Sequence, residues 1–210
     1  MVILISAIVM ASGFGRRMKK EKLAMTIENI PMVERVVKEA KNSKVGEIIL
    51  VYRNSNVKSI LNGYHIKTIY NNQAYLGQSQ SIKLGVKGSN NKTEAYMFFV
   101  GDQPYLKCDT INKLIDEFNK DKDHIVVPIY GENRGNPVIF PVKFKEDLLK
   151  LQGDIGARGI IKDNINSVKF INIRDEKQGR DIDDVESYCN LETNDYGKGF
   201  AIRVSSRKYW

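Results

Sequence analysis

The chain has little sulfur and little imidazole: two cysteines, Cys108 and Cys189, and two histidines, His65 and His124, in 210 residues. Cysteines so few and so far apart exclude a disulfide framework and fit free thiols in a reducing, cytoplasmic setting. Neither histidine has a partner at metal-ligand or triad spacing, so a structural role is expected for both. No apolar run approaches the roughly 18 residues of a membrane span. The apolar run at 2–9, interrupted by Ser6, has no basic segment before it, which argues against a secretory leader and for a buried strand. Repeats and low-complexity blocks are also missing. Acidic residues are in deficit: the net charge is +8, which favours anionic partners. The basic residues are scattered and no nucleic-acid-binding motif accompanies them, so the expected anion is a small phosphate compound, not DNA or RNA.

What the chain does have is an ordinary globular composition, 42% hydrophobic and 28% charged, at a length that suits one large domain. Apolar runs that read as buried strands lie at 2–10, 47–52, 65–70, 95–100, 125–129, 138–140 and 168–173. Helical patterns fall between most of them, at about 32–41, 79–86, 110–118 and 145–151. This alternation predicts an α/β fold, a mostly parallel central sheet with helices on both faces. At 128–141, Gly131, Gly135, Pro137 and Pro141 punctuate short apolar pieces, which predicts a hairpin or flap beside the substrate.

Directly after the first strand comes Met10-Ala11-Ser12-Gly13-Phe14-Gly15-Arg16-Arg17-Met18. It lacks the third glycine of a dinucleotide-binding loop, and the second strand ends in Arg53, not an acidic residue; nor does it have the spacing of a P-loop. Backbone N–H groups of a glycine turn can converge on an anion, and Arg16, Arg17, Lys19, Lys20 and Lys22 would add charge-assisted bonds to phosphate oxygens. The same residues would also suit a plain turn with solvated basic side chains. A second signal is Gly101-Asp102-Gln103-Pro104, after the strand at 95–100. Parallel sheets gather ligands beyond the carboxyl ends of their strands, where Asp102 could hold a metal against a phosphate. Asp109, before Thr110, reads as the cap of the next helix, which leaves Asp102 without that structural use.

Together these motifs resemble the nucleotidyltransferases of molybdenum cofactor maturation, most closely the molybdenum cofactor cytidylyltransferase-like proteins. The resemblance extends from about Ser6 to Tyr188. Met10-Ala11-Ser12-Gly13, Arg17-Met18 and Lys22 fall on the family's opening loop, and Gly77-Gln78-Ser79-Gln80-Ser81 on its glycine and serine turn. Gly101-Asp102-Gln103-Pro104 matches its metal-binding signature. Arg134-Gly135-Asn136-Pro137-Val138 and Gly153-Asp154-Ile155-Gly156-Ala157-Arg158 resemble its two acceptor-side motifs, and the run at 181–186 its aspartate-rich closing motif. Three positions depart from the pattern. Lys19 stands in place of a glycine, Ser12 in place of an alanine or, in the guanylyl branch, a glycine, and Asn136 where many members carry histidine.

The resemblance implies a nucleotidyltransferase domain at 1–190 and a tail at 191–210, whose composition suits a final strand, a partner contact or a loose end. It implies transfer of CMP from CTP to the terminal phosphate of molybdopterin, with Mg2+ on Asp102 and Asp183. Lys22, Arg17 and Asp102 would be catalytic. Ala11, Ser12, Gly13, Gly15, Arg17, Lys22, Gly77, Ser79 and Ser81 would hold the nucleotide, although Ser79 and Ser81 equally suit a helix cap. Arg134, Asn136 and Arg158 would meet the acceptor. A molybdenum hydroxylase apoenzyme is the partner such a product implies. The alternatives are guanylyl or other nucleotidyl transfer to a different small phosphate, and a non-catalytic nucleotide or cofactor chaperone for such a hydroxylase.

Overall fold

The computed structural model describes residues 3–14, 21–182 and Tyr188. The expectations at Gly15, Arg16, Arg17, Lys19, Lys20, Asp183, Cys189 and 191–210 lie outside these residues. The described strands are β1 (Ile5–Ala11), β2 (Thr26–Ile27), β3 (Ile30–Pro31), β4 (Glu47–Tyr52), β5 (Lys67–Tyr70), β6 (Ala95–Val100), β7 (Ile125–Tyr130), β8 (Asn133–Arg134), β9 (Val138–Pro141) and β10 (Val168–Ile173). The α-helices are α1 (Met32–Lys41), α2 (Ser55–Ile60), α3 (Gln78–Gly88), α4 (Cys108–Lys120), α5 (Lys145–Lys150) and α6 (Arg158–Asp163).

The main sheet runs in the order β10-β7-β9-β6-β1-β4-β5, with β8 paired to β7. β1, β4, β5 and β6 are mutually parallel, as are β7 and β10, while β9 runs antiparallel between β6 and β7. β1 is flanked by β4 on one side and β6 on the other. The chain therefore leaves β1 in one direction and later returns on its opposite side, and the crevice at such a switch point is where open α/β sheets bind ligands.

Alternation along β1 divides the core. Ile5, Ala7, Val9 and Ala11 pack with Val33, Val36, Val37 and Ala40 of α1, Val57 of α2 and the apolar face of α4. Ile8 and Met10 face the other way, onto Ile82 and Val86 of α3, Leu148 of α5 and Ile160 and Ile161 of α6. Helices thus cover both faces, because strands buried on two sides need two apolar partners. A third, smaller cluster joins Ile27, Met32 and Ile182. None of the described helices is long and apolar enough to cross a membrane.

The expected elements recur with shifted ends. β1 begins at Ile5, not at residue 2, and β5 begins at Lys67 because His65 has a left-handed backbone (φ 50°), which a strand cannot accommodate. The segment 128–141 does form a hairpin, β7 to β8, with Gly131 at φ 62° in the turn. Its last piece, β9, is not a flap: it is buried in the middle of the sheet. Asp109 is not the cap of α4, which starts one residue earlier. The Cys108 N–H is instead held by Glu39 Oε2 of α1 at 2.8 Å, and Asp109 sits in the first turn, where a carboxylate favours the helix dipole.

Candidate active site

At the carboxyl end of β1 the chain becomes polar while still buried. Ser12 Oγ lies 2.5 Å from Ser81 Oγ of α3, and Asn71 Nδ2, just past β5, donates to Ser12 Oγ at 3.1 Å and to Ser81 Oγ at 3.3 Å. Asn71 is itself fully buried and fixed by its N–H to the Tyr52 carbonyl at 2.7 Å. Neither Ser79 nor Ser81 caps α3, whose N-cap position is Gly77. Ser81 is engaged in this network, whereas the buried Ser79 hydroxyl has no hydrogen-bond partner among the described residues. Asn71 was not singled out in the sequence, although its place after a strand's carboxyl end is where such sheets gather functional groups.

The glycine loop leaves from Gly13 and returns at Glu21 and Lys22. Both ends meet the end of β4. The Arg53 guanidinium lies over the Phe14 ring, 4.5 Å from its centroid, and reaches Glu21 Oε2 at 3.5 Å, while Asn54 Nδ2 donates to the same oxygen at 2.6 Å. These contacts fix the base of the loop whatever its tip holds.

Lys22, only 7% exposed, donates its Nζ to Asp102 Oδ2 at 2.8 Å. The two residues read separately as phosphate ligand and metal ligand are thus brought together, across the adjacent ends of β1 and β6. Gly101 donates its N–H to the Met10 carbonyl at 3.2 Å, and a Cβ there would come within 3.2 Å of the Leu23 methyls, so glycine lets the Asp102 turn lie close to the Lys22 turn. The C-terminal segment also arrives here: Ile182 N–H donates to the Asp102 carbonyl at 3.3 Å, and Gln103 Nε2 to the Gly179 carbonyl at 3.2 Å. No cluster of three or more metal-ligating side chains occurs among the described residues. A single carboxylate suits Mg2+, which is usually held by one or two carboxylates with phosphates and water completing its shell.

The glycine and serine turn meets the second acceptor-side motif. Gly77 has φ 100° and ψ −178°, and Ser79 N–H donates to the Gly153 carbonyl at 3.1 Å. Gln78 N–H donates to Asp154 Oδ1 at 3.0 Å. Arg158, exposed, opens α6 just beyond this loop. The first acceptor-side motif is organised around Tyr130, whose hydroxyl donates to the Asn136 carbonyl at 2.8 Å and whose ring fills the space a Cβ on Gly135 or Gly179 would need. Burial, and after it the Asp181 and Asp175 charges, push the Tyr130 phenol well above its ordinary pKa, so it stays a donor. Asn136 is only 1% exposed and joined to Pro137 by a cis peptide bond. Arg134 is exposed, its guanidinium 4.7 Å from the centroid of the Phe170 ring on β10.

Cys108 belongs to none of this. Its thiol donates to the Asn42 carbonyl at 3.1 Å, and burial, followed by the charges of Glu39 and Asp109, raises its pKa, which makes it a poor nucleophile.

A mostly parallel sheet covered on both faces, with the base of a glycine loop, a lysine and a carboxylate at its switch point, defines an α/β protein of the kind that binds ligands beyond the carboxyl ends of its strands. Comparison with known proteins narrows the class: the chain belongs to the MobA-like NTP transferase domain family, whose sequence model matches residues 7–168. PucB of Bacillus subtilis, a purine catabolism protein, is 24% identical over 192 residues, 86% of this chain and 92% of its own. A probable molybdenum cofactor guanylyltransferase of Natranaerobius thermophilus is 27% identical over 126 residues, 60% of each chain. The bifunctional protein GlmU of Caldicellulosiruptor saccharolyticus is 30% identical over 112 residues, 51% of this chain and 24% of that protein. The chain therefore spans less than two thirds of the guanylyltransferase and about a quarter of GlmU. Among solved structures, Rv0371c of Mycobacterium tuberculosis superposes with a TM-score of 0.79 at 18% identity, over 91% of this chain and 98% of its own. Its complex with manganese superposes with a TM-score of 0.75 at 18% identity, over 90% of this chain and 97% of that one.

Proposed function

We propose that this protein is a nucleotidyltransferase that moves CMP from CTP to the terminal phosphate of molybdopterin and releases pyrophosphate. The observation that carries the transfer reading is the Lys22–Asp102 pair at the sheet's switch point, beside the glycine loop. An acceptor phosphate oxygen attacks the α-phosphorus, a new P–O bond forms, and the bond from that phosphorus to the pyrophosphate oxygen breaks with its electron pair leaving. Such transfers need positioning and charge neutralisation more than covalent help.

In this reading the backbone around Gly13 to Arg17 and the Arg17 side chain grip the β and γ phosphates, Ala11 and Ser12 lie against the nucleotide, and Lys22, preoriented by Asp102, faces the charge growing at the α-phosphate. Asp102 and Asp183 would hold Mg2+, which when bound neutralises phosphate charge. Gly77, Ser79 and Ser81 border the nucleoside, while Arg134, Asn136 and Arg158 serve the acceptor. The product would pass to a molybdenum hydroxylase apoenzyme. Guanylyl transfer is the second reading, favoured by the likeness to the probable guanylyltransferase.

The test is the thermal midpoint with each of the four ribonucleoside triphosphates, with and without Mg2+. A nucleotide at about 100 times its Kd adds roughly 2.7 kcal/mol, which raises the midpoint of a chain this size by several degrees. A magnesium-dependent shift confined to CTP supports the cytidylyl reading and one confined to GTP the guanylyl reading. No shift with any nucleotide, and no pyrophosphate release with acceptor present, sinks both.

Ser12 occupies the position that separates the branches, but its hydroxyl is engaged by Ser81 and Asn71. Ser12→Ala is therefore expected to leave the nucleotide preference unchanged while lowering stability by about 1–2 kcal/mol, the cost of a lost partner in a buried network. Denaturant titration and the same four-nucleotide comparison check this. A changed preference would show that the hydroxyl reads the base.

A further inference from the structure

We propose that Asp154 is a positioning residue that clasps the acceptor-side loop, 152–158, to the nucleotide turn, 77–79, so that filling one sets the other. This rests on the reading of the Gly77 turn as a nucleoside contact. Gly77 takes a backbone (φ 100°, ψ −178°) open essentially only to glycine, so the turn has no side chain with which to cap the 11-residue helix α3. The cap comes from elsewhere in the chain: Asp154 Oδ1 accepts the Gln78 N–H at 3.0 Å, where a carboxylate also favours the helix dipole.

Two further fits make the contact a matched joint and not a single bond. Ser79 N–H donates to the Gly153 carbonyl at 3.1 Å, and a Cβ on Gly77 would lie 2.5 Å from that carbonyl's carbon and oxygen. A Cβ on Gly156 would lie 2.6 Å from Gln78 Oε1, and the Gln78 amide reaches Met10 Sδ at 3.8 Å. Contacts therefore run from Met10, near the carboxyl end of β1, through Gln78 to the loop that ends at Arg158, a proposed acceptor ligand. Asp154 is exposed and distant in sequence from the turn it fixes; without it a single hydrogen bond, Ser79 N–H to the Gly153 carbonyl, would hold the loop to the turn, too little to couple the two.

Hydrogen–deuterium exchange on the full chain tests this, with CTP or GTP plus Mg2+ as the probe and the wild type, Asp154→Ala and Asp154→Asn compared. Nucleotide is expected to slow exchange at 77–79 in all three. At 152–158 it should slow exchange about tenfold in the wild type and in Asp154→Asn, which keeps the accepting oxygen, and have no effect in Asp154→Ala; tenfold is the order expected of one helix cap. Protection at 77–79 without protection at 152–158 in the wild type overturns the clasp alone. So does Asp154→Ala that exchanges faster at 152–158 yet keeps the same nucleotide-dependent factor, since that is a purely structural role. Absence of protection at 77–79 with either nucleotide removes the nucleoside reading, and the proposal with it.

Discussion

Asp102→Ala and Asp102→Asn are both expected to lower nucleotidyl transfer by about 100-fold or more, the cost of losing one preorganised charged group in such a reaction. Their stabilities should differ from their activities in a telling way. Lys22 Nζ is held at 2.8 Å by Asp102, and the two side chains are 8% and 20% exposed. Removing one partner of a fully buried pair costs about 3–5 kcal/mol, and the partial exposure here, with the further interaction that Lys22 keeps, brings the expected loss down to roughly 2 kcal/mol or less. Lys22→Met alone strands the carboxylate in the same way. The double variant Lys22→Met, Asp102→Asn removes both charges, so its loss of stability should be smaller than the sum of the two single losses, the coupling that contacting residues show. Its turnover should nevertheless be as low as that of the worse single variant. Pyrophosphate release measured per folded molecule, beside urea titrations of all three, separates the effects. Turnover within threefold of wild type in Asp102→Asn would remove the metal-ligand role, and a double variant whose losses merely add would show that the pair is not coupled.

The parts of this arrangement that could be read in advance are those written in short-range pattern. The near-continuous apolar runs of β1, β4 and β6 and the period-3.6 spacing of α1 and α4 announce the doubly covered sheet, since both patterns depend only on neighbours in sequence. The short helices α2 and α6 escape, because six residues hardly exceed one turn and a half and carry little period, although the equally short α5 is legible at 145–151. β9 reads as a strand, but its insertion between β6 and β7 depends on which edges remain unpaired, a global property. At the site, the sequence marks Lys22 and Asp102 separately as candidates, but their ion pair is not legible in it, since the parallel register of β1 and β6 is what brings their turns together. Asn71 and Asp154 are plain polar loop residues until the fold places one beneath Ser12 and the other on the end of α3. Cap prediction at Asp109 failed for the same reason, since Glu39 from another helix had already taken the position.

Gly77→Ala is expected to cost about 2–6 kcal/mol, against roughly 1 kcal/mol for Gly153→Ala, although both glycines have positive φ and face each other. Gly153 sits at φ 64°, in the left-handed region that other residues enter at a cost of about 1 kcal/mol, and a Cβ there meets nothing within 4 Å. Gly77 sits at φ 100° and ψ −178°, where strain is of order 1–3 kcal/mol. Its Cβ would also lie 2.5 Å from the Gly153 carbonyl carbon and oxygen and 2.7 Å from the Asp154 nitrogen. Those are backbone atoms, which cannot rotate aside as a side-chain tip can, so overpacking adds about 1–3 kcal/mol more. The alternative is for the 152–158 loop to move away, which breaks the Ser79–Gly153 and Gln78–Asp154 hydrogen bonds instead of straining them. Either response loosens the same joint. A loss approaching 5 kcal/mol would be comparable to the lower end of a domain's whole stability, so Gly77→Ala should unfold at a markedly lower urea concentration. Equal midpoints for the two variants would mean that the joint closes less tightly in solution than these distances require.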